Sequence, residues 1–246
     1  MGGVAESSEA AEVSQPWHVT RPELLEDVRD ALAACPTLHL FLNSSGAEIR
    51  GTFPVLGESN RVLDEYRISI ELPTTYPEVL PVVRETGGRI PWTLARHVIR
   101  VNGTCCVLLP DARGEEFPIG APFRDYLAGP LRNYFLGQSI VELGGAWPFG
   151  EWGHGNDGRI EYYGQLFGTK DRATIRRFLE IIAWPNDKTR PRCSCGSGRR
   201  LSRCCLAKVK DLRRKLHRET ARRAFTAVGF HRPGHFGRRH PSGQRR

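Results

Sequence analysis

The segment YRISIELPTTYPEVLPVV, residues 66–83, has the clearest secondary-structure pattern in the chain. Apolar and polar side chains alternate in its first part, which is the period of a β-strand with one buried face. Pro73, Pro77 and Pro81 then interrupt the pattern, because proline has no amide to donate to a neighbouring strand. A short apolar run at 80–84 predicts a further strand directly after this turn.

The sequence before this segment predicts one helix and two more strands. Residues 38–42 (LHLFL) and 48–55 are apolar-rich runs separated by turn residues, as expected for a hairpin. In the preceding helix, Thr20 and Glu23 have the spacing of a capping box, and Pro36 ends the helical pattern. A helix followed by consecutive strands predicts an antiparallel meander packed on helices, which is an α+β fold.

The sequence after the segment is irregular first and helical later. Regular periodicity fades over 84–123, although residues 98–109 remain largely apolar. A long irregular segment within a compact domain indicates a functional region. Helices are predicted at 123–135 and 171–183, and a basic helix at 207–228.

Four of the seven cysteines lie within the thirteen residues CSCGSGRRLSRCC. Thiolates this close, separated by a Gly-Ser-Gly turn, can converge on one tetrahedral ion, and four sulfur ligands are typical of structural zinc. The alternative is two disulfides, but adjacent cysteines pair poorly with each other. The predicted zinc ligands are Cys193, Cys195, Cys204 and Cys205.

The same thirteen residues closely resemble the SEC-C motif, named after the zinc-binding tail of a bacterial secretion ATPase. All its cysteines are present, together with Gly196, Ser197 and Gly198. The resemblance implies a small protein-interaction module and no enzymatic activity of its own. The main function is therefore expected upstream of this motif.

Charge is distributed unevenly along the chain, whose formal net charge is +9. Residues 188–246 contain 19 lysines and arginines against 2 acidic residues, a local charge of +17, whereas the preceding 187 residues carry −8. An acidic domain followed by a basic tail predicts a nucleic-acid or acidic-protein partner for the tail. The alternative is a solvated helix with a disordered end.

The order helix, strand meander, proline-rich turn, cysteine-containing irregular segment and helix resembles the ubiquitin-conjugating enzyme (UBC) superfamily, in its divergent prokaryotic branch. Tyr76, Pro77 and Pro81 have the offsets of its YPxxPP turn. Residues 97–108 (HVIRVNGTCCVL) resemble its active-site segment. The implied organisation is residues 1–16 disordered, 17–184 a UBC-like domain, 185–206 the SEC-C zinc module, 207–228 a basic helix and 229–246 a disordered basic tail.

The resemblance implies that Cys106 accepts an acyl group as a thioester and that His97 shapes the surrounding loop. Such a thiol must be exposed and partly ionised, and the oxyanion that forms needs nearby hydrogen-bond donors. Ile99 stands where the family has an asparagine donor. Asn102, or the backbone amides around Gly103, are the candidate replacements.

Other assignments remain open in this region. Strand alternation turns one of Cys105 and Cys106 inward and one outward, and either can be an ordinary core residue. Glu151 and His154 have helical spacing for a shared metal, but the surrounding glycines disfavour a helix and two ligands are too few. Three acidic residues after the doublet are candidates to orient an incoming lysine or are part of a solvated loop: Asp111, Glu115 and Glu116.

Two functions are compatible with these patterns. The first is a conjugating transferase that receives a ubiquitin-like protein, or another protein C-terminus, from a separate activating enzyme; the resemblance implies a bacterial, antiviral setting. The second is a non-catalytic UBC-fold adaptor that binds a protein or nucleic acid through its zinc module and basic tail. Direct DNA readout by the basic helix is disfavoured, because the tail has few aromatic residues and no recognised DNA-binding layout.

The sequence also predicts a cytoplasmic protein with no membrane partner. No run approaches the ~20 apolar residues that cross a bilayer, and the first residues lack the features of a signal peptide. Three cysteines lie outside the zinc cluster, which fits a reducing compartment.

Overall fold

The computed structural model describes residues 15–149, 153, 155–185 and 191–229. The chain divides into two compact units, Met1–Gly150 and Glu151–Arg246. Within the described residues, no helix has both the length and the apolar character that a membrane-spanning segment requires. The predicted disordered ends, 1–16 and 229–246, lie almost wholly outside these ranges, as do Glu151 and His154.

The first unit contains a four-stranded antiparallel sheet in which each strand pairs with the next one in the chain. This arrangement confirms the predicted α+β class and the strand meander. In β3 the side chains of Tyr66, Ile68, Ile70 and Leu72 are buried, as the alternation predicts. The strands are β1 (Leu38–Asn43), β2 (Gly46–Leu56), β3 (Val62–Pro73) and β4 (Val82–Glu85).

The helices of the first unit pack with this sheet around one aromatic-rich core. Tyr76, Phe123, Tyr134 and Phe135 are among its fully buried side chains. Each such side chain contributes roughly 2–3 kcal/mol by removing apolar surface from water. The helices are α1 (Trp17–Thr20), α2 (Pro22–Ala33), α3 (Arg113–Glu116), α4 (Phe123–Tyr126) and α5 (Arg132–Glu142), with a π-helical turn at Leu127–Leu131.

The predicted capping box at the start of the N-terminal helix is wrong. Arg21 occupies the cap position of α2, while Thr20 is the last residue of α1 and its hydroxyl lies 3.5 Å from the carbonyl oxygens of Pro16 and Trp17. Trp17 is buried, and its indole Nε1 donates to the Leu72 carbonyl at 3.4 Å. Because Trp17 is held in this way, residues 17–20 form the separate helical turn α1. Thr20 therefore ends α1 and does not cap α2.

Among its described residues the second unit has four α-helices, and α7 packs against the other three. Asp171 caps α7 by accepting hydrogen bonds from the amides of Ala173 and Thr174. The predicted apolar stripe of α7 is buried: Ile175, Phe178, Leu179 and Ile182. The helices are α6 (Asn156–Phe167), α7 (Arg172–Ala183), α8 (Leu206–Lys215) and α9 (Arg218–Gly229).

The division between the units differs from the sequence-based boundary at 184/185. Helices α6 and α7, assigned above to the UBC-like domain, pack with α8 and α9 instead. The stretch predicted as one basic helix at 207–228 is also two helices, with Leu216 extended between them and buried. The His217 imidazole accepts the Glu219 amide at 3.4 Å and so caps α9. The break lets the apolar faces of both helices contact α7.

Candidate metal centre and candidate active-site cysteine

The four cysteines predicted as zinc ligands lie together in the second unit. The sulfur atoms of Cys193, Cys195, Cys204 and Cys205, here called the cysteine quartet, all lie within 4.8 Å of one another. The Sγ atoms of Cys195 and Cys204 are 3.6 Å apart, and those of Cys204 and Cys205 are 3.8 Å apart. Four sulfurs at about 2.3 Å from a tetrahedral zinc ion would be about 3.8 Å from one another. The quartet therefore lies close enough together to hold a metal ion, and these separations are far too long for disulfide bonds.

The loop that carries the quartet is fixed to α7 by a reciprocal pair of hydrogen bonds. The Ser194 hydroxyl donates to the Arg177 carbonyl at 3.2 Å, and the Arg177 Nε donates to the Ser194 carbonyl at 3.2 Å. Ser194 is buried between its two cysteine neighbours. Gly196 and Gly198 have φ angles of 80° and 72°, which only glycine adopts without strain, so the loop reverses direction here.

The thiols of the quartet differ in their tendency to ionise. Hydrogen bonds from Ser197 are the largest of the effects that lower the pKa of Cys195 to about 6. Burial raises the pKa of Cys193, and burial together with the neighbouring thiols raises the pKa of Cys205 to about 12. Four thiols held this closely cannot all ionise unless a cation compensates their charge, which is what a divalent metal ion supplies.

Cys105 and Cys106, the cysteine doublet, lie in a short hairpin in the first unit. Val98 pairs with Cys105, the Ile99 amide donates to the Thr104 carbonyl at 2.9 Å, and the Cys106 amide donates to the His97 carbonyl at 2.8 Å. We call residues 97–106 the cysteine hairpin. The Cys105 amide also donates to the Val83 carbonyl at 2.8 Å, so the hairpin continues the sheet beyond β4.

The two thiols of the doublet point in opposite directions, as strand alternation predicts. Cys105 is buried and Cys106 is exposed. Burial raises the pKa of Cys105 to about 11, against a smaller opposing effect of the Tyr134 hydroxyl. Cys106 is exposed at the surface, yet the protein packed behind its sulfur raises the pKa of this thiol too. At neutral pH Cys106 is therefore accessible and mostly protonated.

His97 supports the hairpin through both its backbone and its ring. It has a left-handed backbone conformation with φ of 50°, which is uncommon for a residue other than glycine. Its ring centroid lies 4.3 Å from that of Trp147, and Tyr134 donates a 3.3 Å hydrogen bond to its carbonyl. A Cβ on Gly137 would lie 2.7 Å from the Trp147 ring, so that glycine makes room for the tilted ring pair.

Asn102 lies at the exposed turn of the hairpin, where its side-chain oxygen accepts the Thr104 amide at 3.1 Å. The backbone amides of residues 102–107 all donate to acceptors within or beside the hairpin. The amides around Gly103 are therefore engaged and do not point outward as oxyanion donors. The Asn102 side-chain NH2 group donates no hydrogen bond to any residue that the structure describes.

Thr104 is a polar neighbour of Cys106 that sequence reasoning overlooked. Its hydroxyl is buried and has no hydrogen-bond partner among the described residues. Because Thr104 is two residues from Cys106 in an extended segment, both side chains leave the same face of the hairpin. The spacing T-x-C was visible in the sequence, but the missing hydrogen-bond partner was not.

An ion-pair network fixes the irregular segment 84–109 to the rest of the first unit. Arg89 contacts Asp64 at 2.9 Å and Glu142 at 2.5 Å, and it holds the pKa of Asp64 well below its usual range. Arg96 contacts the same Glu142 at 3.1 Å and donates to the Gln138 side chain at 2.8 Å. The segment is thus fastened to β3 through Asp64 and to α5 through Glu142 and Gln138.

The acidic residues that follow the doublet occupy different environments. Asp111 is buried, so it does not belong to a solvated loop face, whereas Glu115 and Glu116 are exposed. Burial of the Glu116 carboxyl nevertheless raises its pKa, with a further contribution from the neighbouring Glu115 charge. Farther along the chain, Trp147 packs its partly buried ring against the core of the first unit.

No family model matches the chain, and comparisons with curated proteins and with solved structures give no match either. The chemistry of the molecule is therefore inferred from its own residues. Two sites are central to its chemistry. The cysteine quartet can bind a metal ion, and the cysteine doublet exposes a single thiol.

Proposed function

We propose that the first unit is a UBC-like domain that carries an acyl group on Cys106, and that the quartet holds a structural zinc ion in a SEC-C module. The observation that carries the transferase proposal is the exposure of Cys106 beside a fully buried neighbour. The resemblance to the UBC superfamily implies a helix, a four-stranded meander and a closing helix around this thiol. On the same resemblance, we place the protein in bacterial antiviral defence.

The proposed reaction has two balanced acyl-transfer steps. The Cys106 thiolate attacks the carbonyl of a donor thioester, a new C–S bond forms, and the donor thiol leaves and takes up a proton. An amine then attacks the Cys106 thioester, a C–N bond forms, the C–S bond breaks, and the amine proton returns to the Cys106 sulfur. Both steps pass through an oxyanion, for which the Asn102 side-chain amide and the Thr104 hydroxyl are the candidate donors.

The composition of the first unit is compatible with this chemistry. Residues 1–150 contain 12 arginines and no lysine, and all five lysines lie between residues 170 and 215. A guanidinium remains protonated at any physiological pH and does not attack a thioester, whereas a lysine amine does. The acyl group on Cys106 therefore has no side-chain amine to react with inside its own unit.

The test compares acyl transfer on the folded protein with acyl transfer on an unfolded reference. A biotinylated peptide ending in Gly-Gly, as its mercaptoethanesulfonate thioester, is incubated with the protein, and the adduct is mapped by mass spectrometry. We expect a thiol-labile adduct on Cys106 that is lost in Cys106→Ser and retained in Cys35→Ser. Added lysine should release the acyl group at least about tenfold faster than from a synthetic peptide of residues 97–109.

Two results would reject the transferase assignment. One is a wild-type protein that forms no adduct on Cys106. The other is a Cys106 adduct whose aminolysis is no faster than that of the peptide, because this means that the fold supplies no catalysis. A reduced rate of aminolysis in Asn102→Ala or Thr104→Val, with the same final extent of adduct formation on Cys106, would assign the oxyanion donor.

The second candidate function is a non-catalytic adaptor with the same fold. The observation that favours it is the raised pKa of Cys106, since a catalytic thiol is usually more ionised than a free one. Ile99 at the position of the family's asparagine favours it as well. The comparison of aminolysis rates separates the two candidates, because an adaptor would show no acceleration.

A further inference from the structure

Two arginines lie directly opposite each other in the loop of the cysteine quartet. Arg192 and Arg200 form an antiparallel bridge, flanked by a 2.7 Å hydrogen bond from the Cys193 amide to the Arg199 carbonyl and a 2.9 Å bond from Leu201 to Pro191. Residues in such a pair have Cβ atoms about 4.5–5.5 Å apart on one face. Like charges at this spacing repel each other, and both side chains are exposed.

Two more exposed arginines lie close to this pair in sequence. Arg199 directly precedes Arg200 and Arg203 follows it by three residues, and we call the four residues Arg192, Arg199, Arg200 and Arg203 the arginine collar. In the described part of the chain, no ion pair or side-chain hydrogen bond involves a guanidinium of the collar. Their four positive charges also exceed the two negative charges of a divalent ion bound by four thiolates.

Four basic side chains on α8 and α9 are engaged differently. On α8, Arg214 and Lys215 contact Asp211 at 2.9 Å and 3.6 Å. On α9, Arg222 and Arg223 contact Glu219 at 3.6 Å and 3.7 Å. Each of these four basic side chains contacts a carboxylate, whereas no acidic residue occurs between residues 191 and 210. The collar is thus a concentrated positive surface that lacks an acidic side chain nearby in sequence.

We propose that the arginine collar binds the phosphodiester backbone of nucleic acid. Guanidinium groups match phosphate oxygens with paired hydrogen bonds, and a phosphate between Arg192 and Arg200 would relieve the repulsion between them. The residues at 191–203 include no aromatic side chain on which a base could stack. Binding therefore depends on the phosphates and not on the base sequence. This proposal does not depend on the chemistry of Cys106.

The second unit as a whole has the charge that such a ligand requires. Residues 151–246 contain 24 lysines and arginines against 8 acidic residues, a net charge of +16, whereas residues 1–150 carry −7. A field of this sign concentrates a polyanion at the surface before specific contacts form. The collar then provides the fixed guanidinium groups at which the polyanion is held.

The test uses the full, metal-loaded chain and fluorescence anisotropy with labelled oligothymidylate and oligouridylate of about 20 nucleotides. In the collar variant, Arg192, Arg199, Arg200 and Arg203 are replaced by glutamine. In the matched control, Arg214, Lys215, Arg222 and Arg223 are replaced by glutamine. Both variants lose the same formal charge, so only the position of the charge differs.

We expect the collar variant to bind both oligonucleotides at least about tenfold more weakly at low salt, and the control to bind within about threefold of the wild type. The slope of log affinity against log salt should fall by about 2–3 in the collar variant, since each lost phosphate contact removes about 0.7. Metal content is measured for each variant. If the fourfold variant loses metal, Arg192→Gln/Arg200→Gln is tested in its place.

Three results would overturn the proposal. One is absence of measurable binding by the wild type at low salt. Another is an equal loss in the collar and control variants, which would assign binding to net charge alone. The third is displacement of the oligonucleotide by poly-L-glutamate at equal charge concentration, which would identify an acidic protein as the better ligand.

Discussion

The cysteine quartet and the cysteine doublet contain the same functional group in opposite surroundings. The four sulfurs of the quartet share one small volume, and their loop supplies hydrogen bonds that favour the ionised form of Cys195. In the doublet, protein packed around each sulfur raises the pKa of both thiols, and only Cys106 is exposed. The quartet thiols are thus suited to metal binding because they lie close to one another. Cys106 is instead a single accessible thiol that is mostly protonated at neutral pH.

The largest effect is expected when the quartet loses one ligand. In Cys204→Ala we expect the metal content to fall from one ion per chain to none and the loop at 191–205 to unfold, because structural zinc supplies about 10–16 kcal/mol in small zinc peptides. Metal analysis and hydrogen exchange at these residues would measure the change. Unfolding of β1–β4 in the same variant would show that the metal stabilises more than its own unit.

The matched substitution in the doublet should behave differently. Cys106→Ala removes an exposed thiol that holds no metal, so we expect unchanged metal content and a change in stability of less than about 0.5 kcal/mol. Loss of bound metal on this substitution would contradict the separation of the two sites.

Alkylation by iodoacetamide should distinguish the thiols by rate. In the metal-loaded protein we expect Cys106 to react at least about tenfold faster than Cys105 and than the quartet, since only its sulfur is both accessible and unbound. Peptide mapping at short times would measure each rate. Faster labelling of Cys105 would mean that the hairpin opens before it reacts.

The pH dependence of this labelling follows from the direction of the pKa shifts. A thiol reacts as its thiolate, so the rate at Cys106 should still be rising at pH 9.0, the ordinary thiol value, because burial holds its pKa above that value. After chelation of the metal, Cys195 should react already at neutral pH, because its pKa is lowered to about 6. A plateau for Cys106 below pH 9.0 would instead indicate an activated nucleophile.

Replacing one glycine in each site by alanine should have a smaller effect than the loss of a quartet ligand. Gly103 has φ of 70°, and a Cβ there would lie 2.5 Å from the Trp92 ring, so Gly103→Ala should destabilise the first unit by about 2–3 kcal/mol. Gly198 has φ of 72° but open space around it, so Gly198→Ala should cost only about 1 kcal/mol. Denaturant unfolding followed by hydrogen exchange would assign each loss to its unit. Equal losses would mean that the Trp92 ring moves aside freely.

The sequence predicted those features that depend on local pattern. Alternation in residues 66–72 located the central strand, the spacing of four cysteines located a site able to hold a metal ion, and the stripe from Ile175 to Ile182 located α7. It also predicted that one thiol of the doublet would be exposed. In each of these cases the physical cause lies within a few residues of its effect.

The features that the sequence did not reveal depend on distant partners. Thr20 is not a helix cap because Trp17 is fixed by a carbonyl fifty-five residues away in β3. The break at Leu216 carries no glycine or proline, and both helices that it separates pack against α7. The unsatisfied Thr104 hydroxyl depends in the same way on what surrounds the hairpin, so no pattern within the hairpin could have indicated it.

The reciprocal bond between Ser194 and Arg177 has a consequence for protein engineering. From the sequence alone, the thirteen residues of the cysteine motif look like a unit that could be moved to another protein. Their second residue, Ser194, is however buried against a helix that begins twenty-two residues earlier. A graft of the motif alone would transfer the four sulfurs without Arg177. The Ser194 hydroxyl would then lose its carbonyl acceptor, and the Ser194 carbonyl would lose its guanidinium donor. The smallest transferable piece therefore includes α7 itself.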